Sequence, residues 1–152
     1  MDPILTPEPS PVKIRPADRS DIGIVRRLIE ELEEQPYPAH AFRQVYFQNL
    51  RNEHIYYWLA EIRGQSIGFL SLHIQYLLHH LGPVAEIQEL VVTNPCRGSG
   101  AGSLLLATAR QTARALGCRN LEVTCNQNRA AAHRFYEKNG LQATHLKFVE
   151  RL

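Results

Sequence analysis

Glu86-Ile87-Gln88-Glu89-Leu90-Val91-Val92-Thr93-Asn94-Pro95-Cys96-Arg97-Gly98-Ser99-Gly100-Ala101-Gly102 is the stretch on which the reading of this chain turns. Its first half is a β-branched, strand-like run. Its second half is a glycine-rich loop, and a helix-forming segment follows from Ser103 to Leu116. Such a loop at a helix start turns several backbone N–H groups toward one point, where the helix dipole also favours negative charge. The stretch therefore reads as a pyrophosphate site.

Two familiar phosphate loops fail the comparison. A P-loop requires Gly-x-x-x-x-Gly-Lys-Ser/Thr, and no lysine lies between Lys13 and Lys138. A dinucleotide fingerprint requires Gly-x-Gly-x-x-Gly and an acidic residue about twenty positions on. Gly98, Gly100 and Glu122 match it, but Ser103 stands in place of the third glycine. Only one strand–helix–strand unit follows the loop. What remains, Arg97 to Gly102, resembles the Arg/Gln-x-x-Gly-x-Gly/Ala loop of the GNAT N-acetyltransferase superfamily. In that family the loop holds the pyrophosphate of acetyl-coenzyme A. The resemblance implies cofactor contacts from Arg97, Gly98, Ser99, Gly100, Ala101, Gly102 and Ser103.

Working outward, the 152 residues suffice for one substantial core, so a single domain over 12–152 is expected. The formal charge of +2, with no block of lysine or arginine, does not call for nucleic acid. Cys96, Cys118 and Cys125 form no Cys-x-x-Cys pair, which argues against a disulfide framework or a zinc site. No apolar run approaches a membrane span and no basic-then-apolar signal opens the chain, so a cytoplasmic protein without a membrane partner is expected. Pro3, Pro7, Pro9 and Pro11 predict an extended, flexible tail over residues 1–11.

The coarse pattern alternates cleanly. Val12 to Pro16 reads as a strand, and Ser20 as the N-cap of a helix reaching Gln35, with Ile22, Val25, Ile29 and Leu32 at helical spacing. A second helix is expected from His40 to Asn52. Ile55 to Ile62 and Ser66 to Leu77 read as strands joined by a hairpin at Arg63-Gly64-Gln65. After a loop from His79 to Pro83 comes the strand Val84 to Thr93. Beyond the glycine loop and its helix, Gly117 reads as a helix stop, Leu121 to Cys125 as a strand and Arg129 to Asn139 as a helix. Leu141 to Glu150 reads as a final strand. The order is mixed α+β with one crossover.

A second motif strengthens the resemblance. Phe135-Tyr136-Glu137-Lys138-Asn139-Gly140-Leu141 resembles the family's Tyr-Glu-Lys-x-Gly-Phe ending. The family implies an α/β/α fold: a mixed, mostly antiparallel sheet of six to seven strands, flanked by four helices. It also implies a homodimer built on C-terminal or central strands. Outside the cofactor motifs, His40-Ala41-Phe42-Arg43, Asn49-Leu50-Arg51 and the run from Leu72 through His79 and His80 to Val92 resemble the aminoalkylphosphonate N-acetyltransferases. These segments bear on the acceptor, and Arg43, Arg51, His73, Gln75 and His79 are its candidate contacts.

Acetyl transfer to an amine has two proton problems. An alkylamine has a pKa near that of lysine, about 10, so only about one molecule in a thousand is nucleophilic at pH 7. The departing thiolate, with a pKa of about 8.5, benefits from a nearby acid. Direct attack in a ternary complex needs no protein nucleophile. Glu86 is the candidate base, at the start of the strand where the family often places a catalytic glutamate. Strand alternation puts Glu86 and Glu89 on opposite faces unless a bulge intervenes. The family often has such a bulge, and Leu90, Val91 and Val92 would then supply backbone groups to the pantetheine. Tyr136 is the candidate acid by its place in the family ending, and Asn126 or Asn128 the further cofactor contact. For His73, His79 and His80 three readings stand: a divalent metal site, direct recognition of an anionic acceptor, or structural histidines.

The expected activity is acetyl-coenzyme A-dependent N-acetylation of a small primary amine, with aminoalkylphosphonates as the leading acceptors. The alternatives are an enzyme for an amino acid, polyamine or protein amine, and a non-catalytic acyl-coenzyme A sensor or partner subunit.

Overall fold

Alternating side chains in the strands leave apolar residues on both faces of a sheet, so each face needs a helical cover. The computed structural model describes residues 11–152, and residues 1–10, most of the expected tail, lie outside the described residues. Strands β1 (Val12–Pro16), β2 (Ile55–Ile62), β3 (Gln65–Leu77), β4 (Gly82–Val92) and β5 (Leu121–Val123) form one sheet in sequence order. The first four pair antiparallel, while β4 and β5 pair in parallel. Parallel neighbours cannot be joined by a tight turn, and the connection here carries the glycine loop and α3 (Ala101–Ala115).

On one face α1 (Ile22–Glu33) and α2 (Ala39–Leu50) lay Val25, Leu28, Ile29 and Tyr46 on Leu59, Phe69 and Val91. On the other, Leu105, Leu106, Ala109 and Ala113 of α3 pack on Ala60, Leu70, Leu72, Ala85 and Ile87, and Phe135 of α4 (Ala130–Lys138) joins them. Each fully buried leucine or phenylalanine contributes about 2 kcal/mol. The result is the expected α+β, three-layer architecture with four helices.

Several expectations are corrected. Among the described residues the sheet has five strands, not six to seven. The missing member is Leu141 to Glu150, which forms no regular secondary structure and pairs with no strand among the described residues. Its Leu146 and Phe148 are 85% and 90% exposed. Alternating apolar residues describe side chains, whereas a strand also needs a ladder partner for its backbone. Asp18, not Ser20, caps the start of the first helical segment: its carboxylate accepts from the Ser20 N–H at 2.8 Å, and Asp21 reaches back to the Asp18 N–H at 2.7 Å. Gly117 ends α3 as expected, with φ of 73°. Among the described residues no helix is long and apolar enough to cross a membrane.

Candidate active site

The glycine loop has the backbone that a phosphate cradle requires. Gly98 and Gly100 adopt φ of 86° and 87°, values that side chains resist. Gly100 is the N-cap of α3, so the first N–H groups of that helix have no carbonyl of their own turn to bind. Ser99 Oγ accepts one of them, from Ala101, at 3.3 Å. Gly102 is held close to α4, since a Cβ there would meet the Phe135 ring at 3.3 Å. Arg97 Nε donates to the Val92 carbonyl at 3.3 Å, folding the loop back on the end of β4. These features fit a pyrophosphate at the start of α3.

The strand before the loop is irregular where the chemistry needs it. Leu72 pairs with Ile87 and Ser71 with Glu89, so Gln88 is left over as a bulge. β5 pairs with β4 only at Ala85, Glu86 and Ile87. From Gln88 onward the β4 edge, including Leu90, Val91 and Val92, has no β5 ladder beside it. That opening can receive an extended amide-bearing chain.

The bulge overturns the expected alternation. Glu86 lies opposite His73 and Glu89 opposite Ser71, and His73 and Ser71 share a face of β3. Both glutamates therefore face α1 and α2, while Leu90 and Val92 pack toward α3. Glu86 accepts a long hydrogen bond from Thr124 Oγ1 at 3.4 Å. Glu89 accepts one from the buried Ser71 hydroxyl, and its own N–H donates to Ser71 Oγ at 3.1 Å. With Val25, Ile29, Phe42, Tyr46, Tyr57 and Phe69 among others, it lines a partly open cavity of about 80 Å³. Burial pushes the Tyr57 hydroxyl up to about 12, Asn49 opposes that shift with a hydrogen bond, and the Glu89 charge adds to it.

Tyr136 lies in α4, half-buried. Burial raises its pKa to about 12, the nearby Cys125 adds to the rise, and Arg129 opposes it. It is a neutral hydroxyl at any working pH, suited to donating a hydrogen bond. Asn126 makes an Asx turn, its side chain accepting from the Asn128 N–H at 2.9 Å. Asn128 is exposed and makes no side-chain hydrogen bond among the described residues.

The remaining acceptor candidates fall into separate groups. His73 is half-buried beside Glu86, whereas Gln75 is exposed. His79 and His80 lie in the turn between β3 and β4 with rings 4.3 Å apart, and His80 reaches Glu122 at 4.0 Å. Among the described residues no three His, Cys, Asp or Glu side chains gather as a metal-holding group. Arg43 and Arg51 line an open hollow on the outer side of α2 rather than the Glu89 cavity, and Val45 borders both. The Arg43 guanidinium lies 4.7 Å over the Phe47 ring.

Two positioning contacts have no motif in the sequence. Glu31, near the end of α1, accepts from Thr93 Oγ1 at 2.9 Å and from the Asn94 N–H at 2.7 Å, just before the glycine loop. Arg129 donates to the Leu32 carbonyl at 2.8 Å. The end of α1 is thereby tied both to the cofactor loop and to the start of α4. Only the spacing of charged residues around helix ends hinted at this, and such residues are usually solvated.

Comparison with known proteins agrees with this geometry. The model of the acetyltransferase (GNAT) family matches residues 23–141. The aminoalkylphosphonate N-acetyltransferase of Salmonella typhimurium is 40% identical over 140 residues, 92% of this chain and 91% of the relative. An uncharacterized N-acetyltransferase of Bacillus subtilis is 27% identical over 69% of this chain and 67% of its own. Among solved structures, an aminoglycoside N-acetyltransferase in complex with CoA superposes with a TM-score of 0.84 at 20% identity, covering 97% of this chain and 99% of that one. A Bacillus halodurans protein described as a transcriptional regulator reaches a TM-score of 0.86 at 22% identity, over 93% and 99%. At those identities the two structures bear on the fold alone. The loop, the bulged strand, the helix-borne tyrosine and the family match together make this chain an N-acetyltransferase of the GNAT family.

Proposed function

We propose that the protein transfers the acetyl group of acetyl-coenzyme A to a small primary amine by direct attack, and that aminoalkylphosphonates are its acceptors. The 40% identity to a relative of that name, over nearly the whole of both chains, carries the acceptor assignment. The geometry supports the chemistry. The loop Arg97 to Ser103 receives the pyrophosphate, and the β4 edge at Leu90 to Val92 receives the pantetheine amides. An N–H in that edge polarises the thioester carbonyl. Asn128, whose side chain is not engaged in the Asx turn, is the better placed of the two asparagines for a further cofactor contact.

Glu86 removes the proton from the acceptor ammonium, directly or through one water, and His73 beside it joins the acceptor site. The amine nitrogen then attacks the thioester carbon, and the coenzyme A thiolate leaves. Tyr136 donates a hydrogen bond to the departing sulfur. With a pKa of about 12 against about 8.5 for the thiol, the tyrosine stabilises the thiolate without fully surrendering its proton. Arg43 and Arg51 have no carboxylate partner among the described residues, which leaves them available to a phosphonate group. Gln75 and His79, both exposed, are assigned to the acceptor as well.

Thiol release from acetyl-coenzyme A tests this reading. It is run with 2-aminoethylphosphonate, its carboxylate analogue β-alanine and a polyamine, each with chelator or added divalent metal. Turnover confined to the phosphonate is expected. Equal turnover of β-alanine or the polyamine would remove the phosphonate assignment and keep the chemistry. Loss of turnover with chelator would restore the metal reading of the histidines.

The protein is further inferred to act as a homodimer. The exposed Leu146, Phe148 and Val149 lie in a segment without regular secondary structure that pairs with no strand among the described residues, next in sequence to α4. A second copy offers such a segment a ladder partner.

A further inference from the structure

The end of α1 runs against the electrostatic preference of a helix. Glu30, Glu31 and Glu33 lie in its last turn, Glu34 follows as the C-cap, and no basic residue stands in that turn. A helix carries partial negative charge at this end and favours cations there. The start of α4 is reversed in the opposite sense, since its N-cap is Arg129, where an anion would be favoured. Local conflicts of this kind call for a reason in the tertiary structure. Glu30 has one nearby, accepting from Arg26 Nε at 3.0 Å and from the Tyr37 N–H at 2.9 Å. Glu31 and Glu33 reach further.

Thr93 is the N-cap of the short turn Asn94–Cys96 that leads from β4 into the glycine loop, yet its own side chain caps nothing. The Glu31 carboxylate takes that role from another element, accepting from Thr93 Oγ1 and from the Asn94 N–H. Among the described residues the other hydrogen bonds of residues 94–99 run within 93–99, to the end of β4 or to the start of α3. The start of α4 is built alike. Arg129 makes no side-chain cap bond to its own helix. Its guanidinium donates to the Leu32 carbonyl at 2.8 Å, one of those that α1 leaves without a partner, and lies 3.6 Å from the Glu33 carboxylate. Tyr136 is seven residues along α4 from Arg129 and therefore on the same side of that helix. The Arg129 charge reaches it, opposing the rise that burial gives the phenol.

We propose that the last turn of α1 is the common anchor of the site: Glu31 is a positioning residue for the pyrophosphate loop, and Arg129, through Leu32 and Glu33, is a positioning residue for Tyr136. The inference rests on the roles proposed above for the loop and the tyrosine, and adds the element that holds the two in register. A loop with glycines at positive φ is intrinsically free, so its N–H groups converge on a pyrophosphate only while its entry is fixed. The Tyr136 hydroxyl must likewise stay within hydrogen-bond reach of the departing sulfur, where a small displacement is costly. The two local conflicts thus answer each other, with the acids of α1 meeting the loop N–H on one side and the Arg129 cation on the other.

The test uses the full chain, with coenzyme A titrated calorimetrically. Glu31→Ala is expected to weaken the Kd for coenzyme A about tenfold, and Thr93→Val about threefold. The double variant should lose no more than Glu31→Ala alone, because both changes remove one shared contact. Glu31→Gln recovers most of the loss, since its amide oxygen still accepts from the Asn94 N–H. Arg129→Met should show the converse split. Its kcat falls about tenfold with the amine that the wild type turns over fastest, while the Kd for coenzyme A stays within about twofold. A merely structural role would lower the melting temperature of both variants without this crossed pattern. A folded Glu31→Ala protein that binds coenzyme A as the wild type does, additive losses in the double variant, or an unchanged kcat in Arg129→Met would overturn the proposal. Should Glu31→Ala not fold, Thr93→Val decides the same point, its Kd weakened as expected or unchanged against the proposal. Failure of the phosphonate assignment leaves these readouts in place, because the binding arm uses no amine and the rate arm uses any amine turned over.

Discussion

Glu86 and Glu89 lie three positions apart in β4 and still face the same side of the sheet, because Gln88 is an unpaired residue between them. In an unbroken strand an odd spacing places two side chains on opposite faces. The bulge thus brings two carboxylates to the face covered by α1 and α2. The same irregularity coincides with the end of β5 pairing, so the two carboxylates and the unpaired edge of β4 meet at one point.

The proposed base role of Glu86 has a pH signature. Glu86→Gln is expected to lower kcat about 100-fold at pH 7. As pH rises toward the amine pKa of about 10, free amine accumulates and the base is needed less. The deficit therefore shrinks with rising pH. A pH–rate profile in which the ratio of wild type to variant stays constant would count against a proton-removing role.

Tyr136 should act on the departing group rather than on binding. Tyr136→Phe is expected to lower kcat by about 10- to 100-fold, with acetyl-coenzyme A affinity kept, since one hydrogen bond to a developing charge is removed. Calorimetric titration with the cofactor beside steady-state kinetics separates the two effects. Loss of cofactor binding equal to the loss of rate would make the tyrosine a binding residue.

Gly100 starts α3 at φ of 87°, where a side chain costs about 1–2 kcal/mol. Gly100→Ala should relax that turn and misdirect the first N–H groups of the helix. An approximately tenfold weaker Kd for acetyl-coenzyme A is expected, corresponding to about 1.4 kcal/mol. Because α3 packs on the sheet face opposite to Glu86 and His73, the amine KM should change little.

Asp21 secures the start of α1 to the sheet. Arg15 of β1 donates to both of its oxygens at 2.8 Å and to Glu61 of β2 at 2.6 Å. The Arg15 hydrogen bonds hold the Asp21 carboxyl below its usual pKa, against the effect of burial. A lowered folded pKa means stability that is present above the unfolded value of about 3.9 and lost as pH falls through the folded one. Asp21→Asn should cost about 2 kcal/mol at pH 7, less than a fully buried pair because Arg15 is partly exposed. Its Tm falls by roughly 5 °C, and the gap to wild type narrows as pH falls below the unfolded carboxyl value. Thermal melts at pH 7 and pH 3 check both.

Removing residues 142–152 should convert the inferred dimer to a monomer, measured by sedimentation or light scattering. A wild type that is monomeric at micromolar concentration would remove that inference.

The glycine loop, its helix and the helix-borne Tyr136 were legible in the chain because local chemistry determines them. Glycines that accept positive φ, a loop at a helix start and apolar residues at helical spacing are all read within a few positions. The four helices and the hairpin of β2 and β3 were legible for the same reason, and the family resemblance joined them into one architecture. Asp18 displaced Ser20 as the first cap because Asp21 completes a reciprocal pair with it, a contact that side-chain preference alone does not rank.

Three things were left to the tertiary structure. The bulge at Gln88 is set by the pairing of β4 with β3, so the common face of Glu86 and Glu89 could not come from alternation. The cavity of Glu89 joins α1, α2, β2, β3 and β4, residues from Val25 to Glu89 that share no local pattern. The strand pattern of Leu141 to Glu150 met no partner among the described residues. Local sequence specifies what each segment prefers, but a site or a ladder is a relation between distant segments, and only their packing supplies it.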